Sequence, residues 1–162
     1  MNNSGLRSDY LDCLAKLLSL EKYIGTLPCD FLAKRSIKSG DMAIVNLSTS
    51  VSKGTHYVSI ICFDEYLVYL DPFGLKCYDS NILKALEKTN KVVHFLNQSV
   101  QSINSLMCGF FCLAFCILAK DSINPIKTII STFHASNLNK NEDIAIDIIK
   151  DSLKKLPVHL TK

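Results

Sequence analysis

The chain has 162 residues, of which 48% are hydrophobic and 20% charged, and its formal net charge at pH 7 is +3. This length and composition predict one globular domain over residues 1–162 and exclude a disordered or low-complexity protein. The longest nearly charge-free apolar stretch, Leu106 to Ala119, is shorter than the ~20 residues that cross a bilayer, and the polar start of the chain lacks a secretory pattern, so we expect an intracellular protein without a membrane anchor.

The first half of the chain predicts one helix followed by three strands. Apolar residues recur at helical spacing from about Asp9 to Leu20. Glycine and proline then interrupt regular structure until Met42-Ala43-Ile44-Val45-Asn46, which is typical of a short buried strand. The β-rich runs Thr55 to Phe63 and Tyr66 to Leu70 predict a hairpin, with Asp64-Glu65 as its turn.

The register of this hairpin decides whether a histidine and an aspartate meet. A two-residue loop at Asp64-Glu65 places Val58 opposite Asp71, and His56 then lies on the same face as a diagonal neighbour of Asp71. A change of one residue in loop length would turn Asp71 to the other face. The pattern therefore predicts a carboxylate within reach of an imidazole, provided that the loop has two residues.

The second half of the chain is mainly helical. A helix is predicted from Ser80 to about Lys88 and a strand at Val92 to Leu96. The segment from Leu106 to Lys120 is apolar on all sides, as is typical of a helix buried at the centre of a domain. Two further helices are predicted near Ile126 to Phe133 and from about Glu142 to Leu156. Together the elements indicate an α+β fold with a central mixed or antiparallel sheet flanked by helices.

The cysteines favour reduced, mostly buried thiols over a disulfide scaffold, because their number is odd and their spacing irregular. The seven are Cys13, Cys29, Cys62, Cys77, Cys108, Cys112 and Cys116. The last three recur every four residues on the apolar helix, without the histidine or CxxC clustering that zinc sites show, so we predict no metal site.

Cys108 lies where a polar loop becomes the buried helix. Unpaired backbone N–H groups and the helix dipole favour a thiolate there, which prepares a nucleophile. The alternative is a core cysteine, which is our interpretation of Cys112 and Cys116. Gln101, seven residues before Cys108, could donate to the oxyanion of a tetrahedral intermediate together with the Cys108 N–H.

His56 begins a strand after Gly54-Thr55, where a general base can be both exposed and oriented. A single histidine is more often structural, but Asp71 beside it would hold the ring tautomer and stabilise the imidazolium. Asn46, at the end of its strand, is either a second polar donor at the site or a side-chain cap of the strand end.

The ordered motifs resemble the adenain family of adenovirus-type maturation cysteine proteases, and more loosely the clan that includes the SUMO- and ubiquitin-like-specific proteases. The similarity covers roughly residues 10 to 120. The matching runs are Met42 to Asn46, Gly54-Thr55-His56-Tyr57, Asp71-Pro72-Phe73-Gly74, Gln98 to Gln101, and Asn104-Ser105 through Cys108-Gly109-Phe110-Phe111-Cys112.

The resemblance implies a role for each site residue. It makes His56 the general base, Asp71 the orienting carboxylate, Gln101 the oxyanion donor and Cys108 the nucleophile, with Asn46 beside the site. The family commonly carries tryptophan after the catalytic histidine, whereas this chain has Tyr57, which would keep an aromatic wall of altered shape.

The implied activity is a viral or virus-derived endopeptidase that cleaves precursor structural proteins after glycine during virion maturation. We expect a monomer in the host nucleus and the virion that needs no cofactor for chemistry. Adenain is activated by a disulfide-tethered viral peptide and by DNA. The tethering cysteine would fall at about Asn90 here, so Cys77 or Cys29 would have to substitute.

Two other functions remain open at this stage. One is a protease of the same clan that acts on SUMO or ubiquitin conjugates. The other is a catalytically silent, DNA-binding virion protein. Scattered basic residues suit phosphate contacts and solvated surface lysines equally well. They are Lys34, Arg35, Lys38, Lys76, Lys84, Lys88 and Lys91.

Overall fold

A five-stranded mixed sheet forms the centre of the computed structural model, which describes residues 7–156. Its strands lie in chain order: β1 (Tyr23–Pro28), β2 (Met42–Asn46), β3 (Tyr57–Cys62), β4 (Tyr66–Leu70) and β5 (Val92–Phe95). The three inner strands are antiparallel, while β1 pairs with β2 and β5 with β4 in parallel. The predicted α+β class with a mixed sheet is confirmed.

Helices cover both faces of the sheet. They are α1 (Ser8–Leu17), α2 (Cys29–Leu32), α3 (Ser80–Glu87), α4 (Cys108–Ala119), α5 (Pro125–Thr132) and α6 (Asn141–Lys154), with a 3-10 turn at Leu138–Lys140. On one face α4 packs across β3 and is covered by α5 and α6; on the other, α2 and α3 pack against each other. Most residues of α4 are buried, so the predicted central helix is confirmed.

The sequence pattern missed β1 and α2. Gly25 has a φ of +127°, and the pairing register between β1 and β2 shifts between Tyr23 and Gly25. This irregularity and the terminal Pro28 hide the alternation that marks a strand. The first helix also ends earlier than expected, at Leu17, because Ser19 adopts a left-handed conformation with a φ of +52°.

The hairpin has the predicted register. Ser59 lies opposite Leu70 and Cys62 opposite Leu67, and the Phe63 N–H donates to the Tyr66 carbonyl over 2.8 Å. Asp64 and Glu65 are therefore a two-residue loop, and the same register places Val58 opposite Asp71. Within residues 7–156, no helix has the length and apolar character needed to cross a bilayer.

Candidate active site

The candidate site lies at one end of the sheet, where β3 begins, β4 ends and α4 has its first turn. Ser59, fully buried on β3, donates its hydroxyl to the backbone carbonyl of Cys112 over 2.9 Å. This bond ties α4 to the sheet one turn after Cys108, which fixes the height of the helix start relative to the strands.

His56 and Asp71 form a close, mostly buried pair. His56 Nε2 lies 2.8 Å from Asp71 Oδ1, and the exposed fractions of the two side chains are 14% and 1%. The Phe73 backbone N–H donates to the same carboxylate oxygen over 2.8 Å. With Nε2 bound to the carboxylate, Nδ1 is the ring nitrogen left for exchange with another group.

The surroundings of His56 favour its charged form. Burial opposes the charge, but the hydrogen bond with Asp71 and the influence of the nearby Cys108 thiol outweigh it and raise the pKa of His56 to about 9. The imidazole is therefore hydrogen-bonded to a carboxylate and lies near a thiol. That arrangement favours an imidazolium, which can in turn favour proton transfer from a neighbouring nucleophile.

Cys108 differs from the buried cysteines behind it. It is the first residue of α4 and is partly exposed, whereas Cys112 and Cys116 are fully buried. Burial raises the pKa of the Cys112 thiol well above its ordinary value and that of Cys116 to about 12, so both remain protonated. Their predicted role in packing is supported. Among the three cysteines of α4, Cys108 is the one whose thiol acts on the pKa of His56.

Gln101 lies in a loop that is bound to the turn after β4. Its side chain is 1% exposed, and Nε2 donates to the Ser105 carbonyl over 2.9 Å. The backbone N–H groups of Val100 and Gln101 both donate to the Pro72 carbonyl, over 2.9 and 3.0 Å. The bond to Ser105 fixes the orientation of the amide and leaves its second N–H for another acceptor.

The Gln101 amide also carries an unpartnered acceptor. Among residues 7–156, Oε1 of Gln101 has no hydrogen-bond partner although it is buried. An unpartnered buried polar atom costs about 1–3 kcal/mol, so a core amide would ordinarily find a partner.

Asn46 acts as a cap at the end of β2. Its Oδ1 accepts hydrogen bonds from the Ser48 and Thr55 N–H groups, over 2.9 and 3.3 Å. A Cβ atom on Gly54 would come within 2.3 Å of Asn46 Nδ2, so a side chain there would displace the amide onto which the loop closes. Of the two interpretations that the sequence left open, the structure supports the cap, which holds the loop just before His56.

Two aromatic side chains, Tyr57 and Phe73, lie near the site and make different contacts. Tyr57 is 7% exposed, packs in the core beneath α4, and lies with its hydroxyl 3.1 Å from Ser8 Oγ of α1, so it offers little surface to a cleft. The ring stacked on His56 is that of Phe73. Sequence reasoning gave Phe73 no role, although the hairpin register, continued beyond the strands, places residue 73 opposite residue 56.

Cys29 and Cys77, the two proposed substitutes for the tethering cysteine, differ in exposure. Cys29 is fully buried, with its sulfur 3.5 Å from the Leu47 carbonyl, so it cannot form an intermolecular disulfide in the folded chain. Cys77 is partly exposed and its sulfur contacts the Asp79 carbonyl at 3.7 Å. Asn90, at the expected position, adopts a left-handed turn with a φ of +54° just before β5.

Comparison with known proteins bears on the fold alone. The structure is similar to the central domain of the uncharacterized Lpg1148 protein from Legionella pneumophila, with a TM-score of 0.50 and 14% sequence identity over 98% of this chain and 99% of that chain. No family profile and no curated protein matches the sequence. The chemistry must therefore be argued from the site itself.

Proposed function

We propose that the protein is a cysteine endopeptidase in which Cys108 is the nucleophile, His56 the general base and acid, Asp71 the orienting carboxylate and Gln101 an oxyanion donor. The observation that carries this proposal is the His56 imidazole, hydrogen-bonded to Asp71 at 2.8 Å and close enough to the Cys108 thiol for that thiol to act on its charge. A histidine with a purely structural role would need a hydrogen-bond partner for its ring nitrogens. It would not need a partly exposed thiol at the start of a helix nearby.

Acylation would begin with transfer of the Cys108 proton to His56. The thiolate attacks the carbonyl carbon of the scissile peptide, and a C–S bond forms while the carbonyl π electrons move to oxygen. The Cys108 N–H and Gln101 Nε2 then donate to this oxyanion. Collapse of the intermediate breaks the C–N bond, and His56 returns its proton to the leaving amine, which leaves a thioester on Cys108.

Deacylation would use the same groups with water as the nucleophile. His56 takes a proton from the water molecule while the water oxygen attacks the thioester carbonyl carbon. The second tetrahedral intermediate expels the Cys108 sulfur and releases a carboxylic acid, and the proton returns to the His56–Cys108 pair. Asp71 keeps Nε2 protonated throughout, so that Nδ1 faces the reacting atoms.

The resemblance to the adenain family supplies the finer part of this proposal. It supports an adenain-like fold, precursor structural proteins cut after glycine as substrates, and action in the nucleus and virion. Activation by a viral peptide and by DNA belongs to the same proposal. The structure adds one relevant fact: the ammonium of Lys88, just after α3, donates to the Ala33 carbonyl over 2.6 Å, which brings Lys88 close to Lys34 and Arg35.

Selective alkylation tests the nucleophile. Cys13 is a matched control because it is exposed on α1, whereas Cys108 is partly exposed and its thiol acts on the pKa of His56. With limiting iodoacetamide at pH 7, we expect Cys108 to react about tenfold or more faster than Cys13 despite its lower exposure. His56→Gln should remove this advantage, while His94→Gln should keep it. Equal rates at the two cysteines, measured by peptide mapping, would contradict the proposal.

Cleavage then separates the candidate functions. We expect the purified chain to cut glycine-containing peptides, with or without added DNA and viral peptides, and Cys108→Ala to be inactive yet folded. Labelling of Cys108 by a SUMO or ubiquitin vinyl sulfone would assign the substrate to the conjugate-specific branch of the clan. Cleavage that persists in Cys108→Ala would contradict Cys108 as the nucleophile. A folded chain that cuts none of these peptides and whose Cys108 is unreactive would leave the silent binding protein as the better account.

DNA binding has its own test. Lysine and arginine contacts to phosphates release condensed counterions, so affinity should fall steeply as salt rises. We expect the paired substitution Lys34→Gln with Arg35→Gln to weaken binding and reduce the salt dependence. An affinity that does not change with salt would exclude this surface as a DNA site.

A further inference from the structure

Phe73 contacts both members of the His56–Asp71 pair. Its ring stacks on the imidazole, with centroids 4.7 Å apart and planes inclined by 23°. Its backbone N–H donates to Asp71 Oδ1, the same oxygen that His56 Nε2 approaches. One residue thus holds the carboxylate through its backbone and the imidazole through its side chain.

The stacked geometry has a consequence for charge. The face of a phenyl ring carries negative electrostatic potential, so it attracts a cation placed over it more than a neutral ring. An aliphatic side chain of similar size would fill the same space without this preference. The His56 side chain is only 14% exposed, so the attraction is weakly screened by water.

We propose that Phe73 is a positioning residue, whose ring holds the His56 imidazole in the plane that Asp71 defines and stabilises the positive charge on that imidazole. The catalytic consequence rests on the proposed protease function, but the effect on the imidazole does not. The titratable groups that act on the ring are Asp71 at the end of β4 and Cys108 at the start of α4. Phe73 adds no titratable group, so its replacement changes only the aromatic face.

Direct titration of His56 by NMR tests the inference without requiring catalysis. We expect Phe73→Leu to lower the midpoint of His56 titration by about half to one pH unit, and Phe73→Tyr to keep the wild-type midpoint. His94, exposed on β5, serves as an internal control whose midpoint should stay constant. Should Phe73→Leu fail to fold, Phe73→Met offers a flexible apolar replacement without a π face. An unchanged His56 midpoint in a folded variant would overturn the proposal.

The pH dependence of Cys108 alkylation provides the catalytic readout. In Phe73→Leu, the alkaline limb of the alkylation rate plotted against pH should move to lower pH by the same amount as the NMR midpoint. In Phe73→Tyr it should lie at its wild-type position. A wild-type Cys108 without enhanced reactivity would contradict the protease function while the titration still decides the role of Phe73. Enhanced alkylation of Cys108 in wild type, together with an unchanged His56 titration midpoint in Phe73→Leu, would contradict the role of Phe73 and leave the protease function standing.

Discussion

At the scale of single residues, the charge on His56 links the chemistry of the site to stability. The imidazole has lost most of its contact with water, yet its hydrogen bond with Asp71 and the nearby Cys108 thiol raise the pKa of His56 to about 9. In the unfolded chain the same ring would lose its proton near pH 6.5. The folded state therefore binds the His56 proton more tightly than the unfolded state does. The free energy of unfolding consequently depends on pH between 6.5 and about 9.

The sign of this dependence is fixed by the direction of the shift. Because the pKa of His56 is raised on folding, its contribution is fully present below pH 6.5 and is lost as pH rises through 9. We expect the free energy of unfolding to fall by about 2–3 kcal/mol over this range. Denaturant titrations of wild type and His56→Gln measure it. An equally steep fall in His56→Gln would assign the effect to other groups.

At the scale of elements, the turn from Asp71 to Gly74 joins the hairpin to the loop that carries Gln101. The Gly74 N–H donates to the Asp71 carbonyl over 2.8 Å, and the Pro72 carbonyl accepts the two N–H groups from the loop. Gly74 has a φ of +69°, and a Cβ atom there would lie 2.5 Å from the Gln98 carbonyl carbon. A side chain at this position would thus push the turn and loop apart.

Gly74→Ala should consequently damage both stability and activity. We expect a loss of at least about 2 kcal/mol and a fall in cleavage rate of tenfold or more, because backbone atoms cannot yield. Gly40→Ala is the matched control: its φ is +90°, but the added Cβ would meet only the flexible Lys22 side chain. Thermal unfolding and peptide cleavage compare the two. Similar losses of activity in both variants would show that positive φ alone, rather than contact with the loop, causes the defect.

At the scale of the whole molecule, the C-terminal helices support the site from outside the region that resembles the adenain family. Asn141, fully buried at the start of α6, donates to the Val100 carbonyl and to the His134 carbonyl, each over 2.8 Å, and accepts the His134 N–H. Val100 is thus held by Pro72 through its N–H and by Asn141 through its carbonyl. Gln101 follows directly.

Asn141→Ala tests this support. Removal of the amide leaves the buried Val100 carbonyl unpaired and breaks two partly buried bonds to the His134 backbone, and we expect a loss of about 2–4 kcal/mol together with a lower kcat for cleavage. Asn124→Ala is the comparison, because Asn124 caps α5 at an exposed position and its loss should cost only about 1 kcal/mol. Full activity in a folded Asn141→Ala variant would show that the loop keeps its position without α6.

The side-chain pattern predicts the register of the hairpin, provided that its loop has two residues, and the place of Cys108. Strict alternation of side chains then puts His56 and Asp71 on one face, and the structure has both the two-residue loop and the pair. A polar loop followed by an apolar run likewise located the start of α4. Both are local patterns, in which neighbours along the chain decide the structure.

Contacts between distant segments depend on the tertiary fold. The register places residue 73 opposite residue 56, but the stacking of the two rings depends on the path of the chain beyond β4, and Asn141 lies 41 residues from its partner Val100. Asn46 could be assigned as a cap only because Gly54 folds back onto it. Such contacts depend on which loops approach one another, and no periodicity in the sequence encodes that approach. The residues proposed for the chemistry were thus named by local pattern, and those that hold them in place by the packing of the whole chain.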